Sequence, residues 1–245
     1  MCGASFVTWV GAVARRSHAV ARIEPLATSP TVVRRTFGWE DRPRMPERNR
    51  VTPTGEIVAA PLRGAWTGNR GVLHEGREIV RFHAGNLWIT CALEFRGRHR
   101  ELWIPNRWTP LFFHDEAVAF AAGHRPCGEC RHTEYQAYKA AWADALGGMP
   151  PSAGEMNRCL HAERLFPGTH RRRFHETPWP ELPDGAFVIE EAAPYLVRGP
   201  ALIPWTPAGY GEPRRRPRRG TATAITPPAT MAVLRAGYPV QIAPP

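Results

Sequence analysis

Alternating apolar positions mark a strand in the middle of the chain. In residues 87–95 (Leu-Trp-Ile-Thr-Cys-Ala-Leu-Glu-Phe) every second position from Leu87 to Phe95 is apolar. A period of two predicts a strand with one buried face. Arg96-Gly97-Arg98 follows as a predicted hairpin turn, and residues 100–104 follow as the predicted returning strand.

Helical patterns dominate the next part of the chain. Asp115 predicts an N-cap, and Gly123 predicts the stop of the helix after it, because glycine readily takes the left-handed conformation found past helix ends. In the longest helical pattern Tyr135, Tyr138, Trp142 and Ala145 share one face. The predicted helices cover residues 116–122, 131–146, 155–165 and 227–236, and Gly147-Gly148 and Gly237 stop the second and the last.

The chain becomes richer in strands from Gly185 onward. Short apolar runs at residues 186–190, 195–198 and 201–205 lie between Pro and Gly turns. We therefore predict an α+β fold, with a small antiparallel sheet and helices around a Cys-x-x-Cys zinc knuckle, followed by a β-rich C-terminal part. The predicted division is a poorly ordered or mis-annotated extension at 1–48, with Met45 as an alternative start, a zinc-knuckle core at 49–180, and a β-rich subdomain at 181–245 with a basic linker at 213–220.

The net charge of +10 has two interpretations. A basic protein of this kind is typical of nucleic-acid binding, so DNA or RNA is the predicted partner. However, Lys139 is the single lysine among the 32 basic residues, and the others are arginine. A genome of high GC content would produce the same bias through its codons, so the charge alone leaves both interpretations open.

No segment of the sequence predicts export or membrane insertion. The apolar stretch at residues 4–14 lacks a basic start and is followed by Arg15-Arg16, which is the opposite order to a signal peptide. No apolar run reaches the length of a membrane span. We expect a soluble, cytoplasmic protein without a membrane partner; the oligomeric state stays open. The odd number of cysteines, five, argues against a disulfide framework.

The segment His124-Arg-Pro-Cys-Gly-Glu-Cys130 carries the clearest chemistry. A Cys-x-x-Cys turn aims two sulfurs at one point, and zinc binds thiolates strongly. Cys130 falls in the first turn of a predicted helix, where free N–H groups and the helix dipole favour thiolate. We predict one Zn²⁺ bound by Cys127 and Cys130. A dithiol redox pair and two free structural cysteines are the alternatives.

Residues 112–130 resemble the end of the zinc module of Ada-type DNA repair proteins. The shared features are a phenylalanine-led entry, an Ala-rich helix, a Gly-aromatic-Arg-Pro step and then Cys-x-x-Cys. The resemblance implies that Cys127 and Cys130 match that family's second ligand pair. The first ligand pair of that family is Cys-x-x-x-Cys. This chain has Cys91 alone, with Phe95 four positions later, so the resemblance does not imply that this protein accepts a methyl group from DNA. The chain from about Arg50 onward also resembles a protein family common in high-GC Gram-positive bacteria, which implies no activity.

The third and fourth ligands are open in the sequence. Candidates are Cys91, His114, Cys159 and His161, of which we favour Cys91 and His161. Cys159 and His161 are two positions apart on a predicted helix and therefore point to different sides.

A second candidate site lies in residues 62–74, which are dense in Arg and Gly. Glycine lets a backbone approach a ligand closely, so Arg63 and Arg70 are predicted to bind phosphate or nucleic acid. An ordinary glycine-rich hairpin is the alternative. His74 and His161 are the candidate catalytic residues. The leading function is zinc-stabilised nucleic-acid binding; the alternatives are an enzyme (hydrolase or nuclease) acting on nucleic acid or a phosphorylated substrate, and a protein-interaction module with structural zinc.

Overall fold

A computed structural model describes residues 46–97 and 101–244, so Met45 and most of the predicted extension lie outside the described residues. The first sheet has six strands in the order β2-β1-β7-β3-β6-β8. Its strands are β1 (Arg48–Val51), β2 (Ile57–Ala59), β3 (Trp66–Asn69), β6 (Ile89–Cys91), β7 (Leu111–Phe113) and β8 (Arg125–Pro126). Between β3 and β6 the chain forms a hairpin of β4 (His74–Glu75) and β5 (Glu78–Ile79).

This first sheet is mixed rather than antiparallel as predicted. Strand β1 runs parallel to β7, and β6 runs parallel to β8, whereas the remaining pairs are antiparallel. Parallel pairs need a crossover between their strands. The crossover from β6 to β8 contains β7 and a short helix. Because β6 and β8 are far apart in the sequence, no local pattern predicts that they pair.

The second sheet has seven strands and forms the β-rich C-terminal part. Six of them follow the order β13-β12-β11-β10-β15-β9, and β14 also pairs with β12. The strands are β9 (His175–Pro178), β10 (Phe187–Glu190), β11 (Ala193–Arg198), β12 (Ala201–Thr206), β13 (Gly209–Tyr210), β14 (Arg214–Arg215) and β15 (Thr221–Ala224). The three predicted strands of this region are confirmed as β10, β11 and β12. The segment predicted as a basic linker contains β14, because Arg214–Arg215 pairs antiparallel with Ala201–Leu202.

The four predicted helices are confirmed within one to two residues at most ends. They are α1 (Glu116–Ala121), α2 (His132–Leu146), α3 (Ala153–Arg164) and α4 (Pro228–Arg235). The Asp115 side chain accepts a hydrogen bond from the Val118 N–H, as an N-cap should, and Gly123 has a positive φ of 89°. Helix α3 begins with a capping box between Ser152 and Glu155.

Helix α1 lies at the centre of the molecule, because all six of its residues are buried. One apolar core joins it to both sheets, with Phe113 on the first sheet and Phe187 on the second. A neighbouring cluster packs α2, α3 and α4 together through Tyr138, Leu160 and Val233. The apolar core shared by the two sheets therefore crosses the boundary predicted at residue 180, and residues 44–245 form one compact unit.

The predicted strand over residues 87–95 is wrong in length. Only Ile89–Cys91 form β6, and all three residues are buried. Leu87 and Leu93, which the alternation placed on the buried face, are 47% and 41% exposed. The predicted returning strand over residues 100–104 is also wrong where it is described, since residues 101–104 form no strand; residue 100 lies outside the described residues.

The glycine-rich segment at residues 62–74 forms part of the first sheet. Its middle forms β3, which lies between β7 and β6 inside the first sheet. A Cβ on Gly68 would lie 2.1 Å from the Ile89 carbonyl oxygen, and one on Gly64 would lie 2.7 Å from that of Phe113. These glycines serve the close approach of neighbouring strands rather than the approach of a ligand.

Across residues 46–97 and 101–244, no helix combines the length and the apolar composition needed to cross a bilayer.

Candidate functional site

The parallel register of β6 and β8 brings three cysteines together. Ile89 pairs with Arg125 and Thr90 with Pro126, so the next residues, Cys91 and Cys127, leave the two strand ends side by side. The Cys127 N–H donates to the Thr90 carbonyl oxygen at 2.9 Å and extends this pairing. The chain then turns into α2, with the Arg131 N–H bonded to the Cys127 carbonyl oxygen at 3.2 Å, and Cys130 lies in that turn.

The sulfur atoms of Cys91, Cys127 and Cys130 lie within 4.8 Å of one another. Cys91 and Cys127 are buried, and Cys130 is partly exposed. The cysteines pack with Ile89 in a small apolar cluster. The group is therefore shielded on the side of the sheet and accessible at Cys130.

The three thiols share their protons. The pKa of Cys127 is lowered, because the thiols of Cys130 and Cys91 donate hydrogen bonds to its sulfur. The pKa of Cys91 is raised by its hydrogen bonds to Cys127 and Cys130 and by burial. The Cys127 sulfur also accepts a hydrogen bond from the Glu129 N–H at 3.4 Å. Thiolate is the form that ligates metal ions.

Buried polar residues hold the turn in place behind the cysteines. Arg131 donates to the Thr90 hydroxyl at 2.8 Å and to a Glu116 carboxylate oxygen at 2.6 Å. Arg125 donates to the Asn157 side-chain oxygen of α3 at 2.9 Å. Burial lowers the pKa of Arg125, and the negative charge of Cys127 and Cys91 opposes that shift. The guanidinium of Arg125 is therefore close enough to offset part of the charge of bound thiolates.

The donor set fits a soft or borderline metal ion. Zinc–sulfur bonds of about 2.3 Å in a tetrahedron place neighbouring sulfurs about 3.8 Å apart. Three sulfurs fill three of four tetrahedral positions, and in the part of the chain that the structure describes no fourth Cys, His, Asp or Glu joins the group.

The other predicted zinc ligands lie elsewhere. His161 is not in the cysteine group; its ring contacts His83 and Trp88, and its Nδ1 lies 3.1 Å from Arg164 Nη2. The His114 Nδ1 accepts a hydrogen bond from the Trp205 indole, and the Cys159 thiol faces Glu163. The prediction of His161 as a ligand is wrong for this group because α3 directs that ring toward His83 instead.

His74 is a structural residue rather than a free base. Its Nδ1 lies 2.7 Å from the Thr109 hydroxyl, and its Nε2 donates to the Ile104 carbonyl oxygen at 3.2 Å. The ring is buried and meets Trp103 edge to face. Both nitrogens of His74 are therefore engaged in hydrogen bonds. The rings of His74 and His161 also contact different residues, so the structure does not assemble the predicted catalytic pair.

The two arginines predicted to bind phosphate differ in position. Arg63 is exposed, whereas Arg70 is fully buried. The Arg70 guanidinium donates to the Gly55 carbonyl oxygen at 2.9 Å and to the His124 Nε2 at 3.3 Å. It is therefore not available to an external polyanion, which corrects the prediction for Arg70. The sequence pattern did not predict the burial of Arg70, because arginine is rarely buried and no neighbouring residue distinguishes Arg70 from Arg63.

Sequence reasoning missed a second group of side chains around His161. His83 lies next to both His161 and His170, with ring centroids 5.3 and 4.9 Å apart. His83 and His161 are far apart in sequence and belong to no spaced motif, so only the tertiary structure places them together.

No protein-family model, curated protein or solved structure matches this chain.

Proposed function

We propose that this protein binds one Zn²⁺ through the thiolates of Cys91, Cys127 and Cys130. The observation that carries the proposal is the convergence of three sulfurs within 4.8 Å at the junction of β6, β8 and α2. In this position the metal cross-links the edge of the first sheet to the start of α2. The positive charge of the bound Zn²⁺ takes the place of the protons that the cysteine thiols lose when they bind the metal.

The zinc has a structural role in this proposal. Cys91 is separated from Cys127 by β7 and α1, so a shared metal closes a loop that contains the central buried helix. Closing a long loop by a strong bond stabilises the folded state relative to the unfolded chain. The fourth coordination position stays open to water or another ligand, and Cys130 is the cysteine nearest to solvent.

A series of single serine substitutions tests the zinc site. The wild-type full chain should contain about one zinc per molecule, and Cys91→Ser, Cys127→Ser and Cys130→Ser should each lose most of it. Cys159→Ser is the matched control, because its thiol faces Glu163 outside the cysteine group. Metal content measured by inductively coupled plasma mass spectrometry, with thermal melts beside it, decides the result.

The possible results separate the alternatives. Full zinc content in Cys91→Ser would limit the ligands to the Cys-x-x-Cys pair. A metal-free wild type whose melting temperature ignores chelator would overturn the proposal, and a disulfide between Cys127 and Cys130 in that protein would establish the dithiol interpretation.

We also propose nucleic acid as the partner of this zinc-stabilised fold. The net charge of +10 and the resemblance of residues 112–130 to Ada-type modules support it. Because Arg70 is buried, Arg63 is the member of the predicted pair that can reach a phosphate. Neutralising Arg63 should weaken oligonucleotide binding about fivefold at moderate salt, if that residue contacts the backbone.

The matched control for this prediction is Arg218→Ala, which removes an exposed charge from the predicted basic linker. Fluorescence anisotropy with single- and double-stranded oligonucleotides over a range of salt concentrations measures both variants. Equal losses in the two variants would assign the binding to general electrostatics and not to a site at Arg63.

A further inference from the structure

A cavity of about 470 Å³ lies beside α3, and three histidine rings line it. His83 is the central ring and meets His161 and His170 edge to face. Other polar lining residues are Arg158, Asn86 and Thr169. Among the described residues, neither an aspartate nor a glutamate lines this cavity. Its lining therefore combines an arginine with imidazoles, a hydroxyl and an amide, and lacks the carboxylates that attract cations.

The hydrogen bond between Arg164 and His161 determines which His161 nitrogen carries the proton. A guanidinium donates hydrogen bonds and never accepts them, so the His161 Nδ1, 3.1 Å from Arg164 Nη2, is the acceptor. The proton of the neutral ring then resides on Nε2. Burial and the charge of Arg164 lower the pKa of His161, which keeps the ring neutral near pH 7. His161 thus offers an N–H donor at Nε2 rather than a lone pair for a metal ion.

Positive charge is also buried beneath the cavity. The Trp88 ring lies between two guanidiniums, with the Cζ of Arg70 and of Arg164 at 4.2 and 3.9 Å from its centroid. Arg164 joins this group to the cavity through His161. A third arginine, Arg172, is partly buried and lies close enough that its charge lowers the pKa of Arg70 and of Arg164, in both cases after the larger effect of burial.

Within the described residues, these three arginines bond to backbone carbonyls and to histidine rings and not to carboxylates. Arg164 donates to the carbonyl oxygens of Gly123 and Asn86, and Arg172 donates to those of Ala121 and Ala122 at the end of α1. One N–H group on each arginine, at Arg70 Nη2, Arg164 Nε and Arg172 Nε, is buried and makes no hydrogen bond within the described residues. Uncompensated buried charge is costly, and a bound anion nearby would offset part of that cost.

We propose that the cavity between His83, His161 and His170 binds the phosphoryl group of a phosphorylated ligand. Arg158 supplies a positive charge at the wall of the cavity, and the Nε2–H of His161 donates a hydrogen bond to the phosphoryl group. Arg70, Arg164 and Arg172 provide a fixed positive potential behind the rings. This site involves none of the cysteines and is independent of the proposed zinc.

The shape of the donor set favours a phosphoryl group over a carboxylate. A carboxylate is planar and is satisfied by one guanidinium fork, whereas a phosphoryl group is tetrahedral and accepts hydrogen bonds from several directions. Arg158 and His161 belong to α3, His83 precedes β6, and Thr169 and His170 follow α3. Donors from three segments therefore line one cavity, as a tetrahedral anion requires.

Calorimetric titration of the full-length, zinc-loaded protein tests the site. We expect inorganic phosphate and adenosine 5′-monophosphate to bind wild type. Removing one charge-assisted hydrogen bond should weaken them about tenfold in Arg158→Ala and in His161→Phe. His161→Gln keeps an N–H donor near the position of Nε2 and should stay within about threefold of wild type. Arg235→Ala is the control, since it removes an exposed arginine of α4 that does not line the cavity.

A second pair of probes identifies the source of the phosphoryl group. One oligonucleotide is compared with and without a 5′-phosphate. A preference for the phosphorylated form that disappears in Arg158→Ala would support the site and assign it to nucleic-acid ends. Tight binding of adenosine 5′-monophosphate without that preference would support the site and assign it to small nucleotides.

Three results would overturn the proposal. The first is wild-type protein that binds neither phosphate nor adenosine 5′-monophosphate at millimolar concentration. The second is an equal loss in Arg158→Ala and Arg235→Ala, because the binding would then be general electrostatics. The third is a second equivalent of Zn²⁺ that wild type binds and His161→Phe loses, because the rings would then form a metal site. Circular dichroism and thermal melts of each variant confirm that it is folded.

Discussion

Replacing Arg131 by methionine should destabilise the protein by about 3–5 kcal/mol, because it leaves a buried carboxylate without its cation. The Arg131 and Glu116 side chains are 1% and 0% exposed, and their ion pair spans 2.6 Å between α2 and the start of α1. Arg131 also stacks on Trp66 and bonds to Thr90. Methionine fills a similar length but supplies no donor. Urea unfolding at neutral pH measures the loss.

The pH dependence of that loss identifies its cause. Burial raises the pKa of Glu116, and Arg131 is the largest of the groups that oppose this shift. Without Arg131 the pKa rises further, so the folded variant binds a proton that the unfolded chain releases. Its stability should therefore recover as the pH falls from neutral toward the pKa of an unfolded glutamate, and decline as the pH rises.

A double substitution supplies the control for this prediction. Adding Glu116→Gln to Arg131→Met removes the uncompensated charge and should restore at least about 1 kcal/mol relative to Arg131→Met alone. A single variant that loses less than about 1 kcal/mol at neutral pH would contradict the prediction. So would a loss that does not change with pH.

Gly68→Ala should destabilise the protein by about 3 kcal/mol or more, which is the upper range for overpacking a core. The added Cβ would lie 2.1 Å from the Ile89 carbonyl oxygen and 3.0 Å from the Phe113 ring. Because Gly68 pairs with Thr90 and Leu111, the clash forces apart the central strands of the first sheet. Strand β6 ends at Cys91, so if the three cysteines bind zinc as proposed, zinc content should fall together with stability.

Gly154→Ala is the matched control. Its added Cβ would meet no atom closer than 3.5 Å, and its position in the first turn of α3 suits alanine. We expect no loss, or a gain of up to about 1 kcal/mol. Urea unfolding of the two variants and metal analysis of Gly68→Ala decide the result. A Gly68→Ala protein as stable as wild type would show that β3 and β6 can separate without cost.

Much of the secondary structure was determined by local sequence. Asp115 caps α1, glycines follow α1, α2 and α4 with positive φ, and the apolar runs after Gly185 form β10, β11 and β12. Caps and turns depend on residues that are near each other in the chain, so a pattern of types is sufficient to predict them. For the same reason the sequence predicted Cys127 and Cys130 as one site, because a single turn places both sulfurs.

The tertiary structure decided which distant residues joined these local elements. Cys91 was one of four candidate partners until the parallel pairing of β6 with β8 placed it beside Cys127. His161 faces His83 instead of the cysteines, because α3 packs its other side on α4 and the core. Arg70 and Arg172 resemble surface arginines in the sequence, yet Arg70 is buried, Arg172 is partly buried, and backbone carbonyls accept hydrogen bonds from both. Such pairings depend on strand register and on which side chain reaches the free carbonyls at the end of a helix, and both are decided only when segments far apart in the chain pack together.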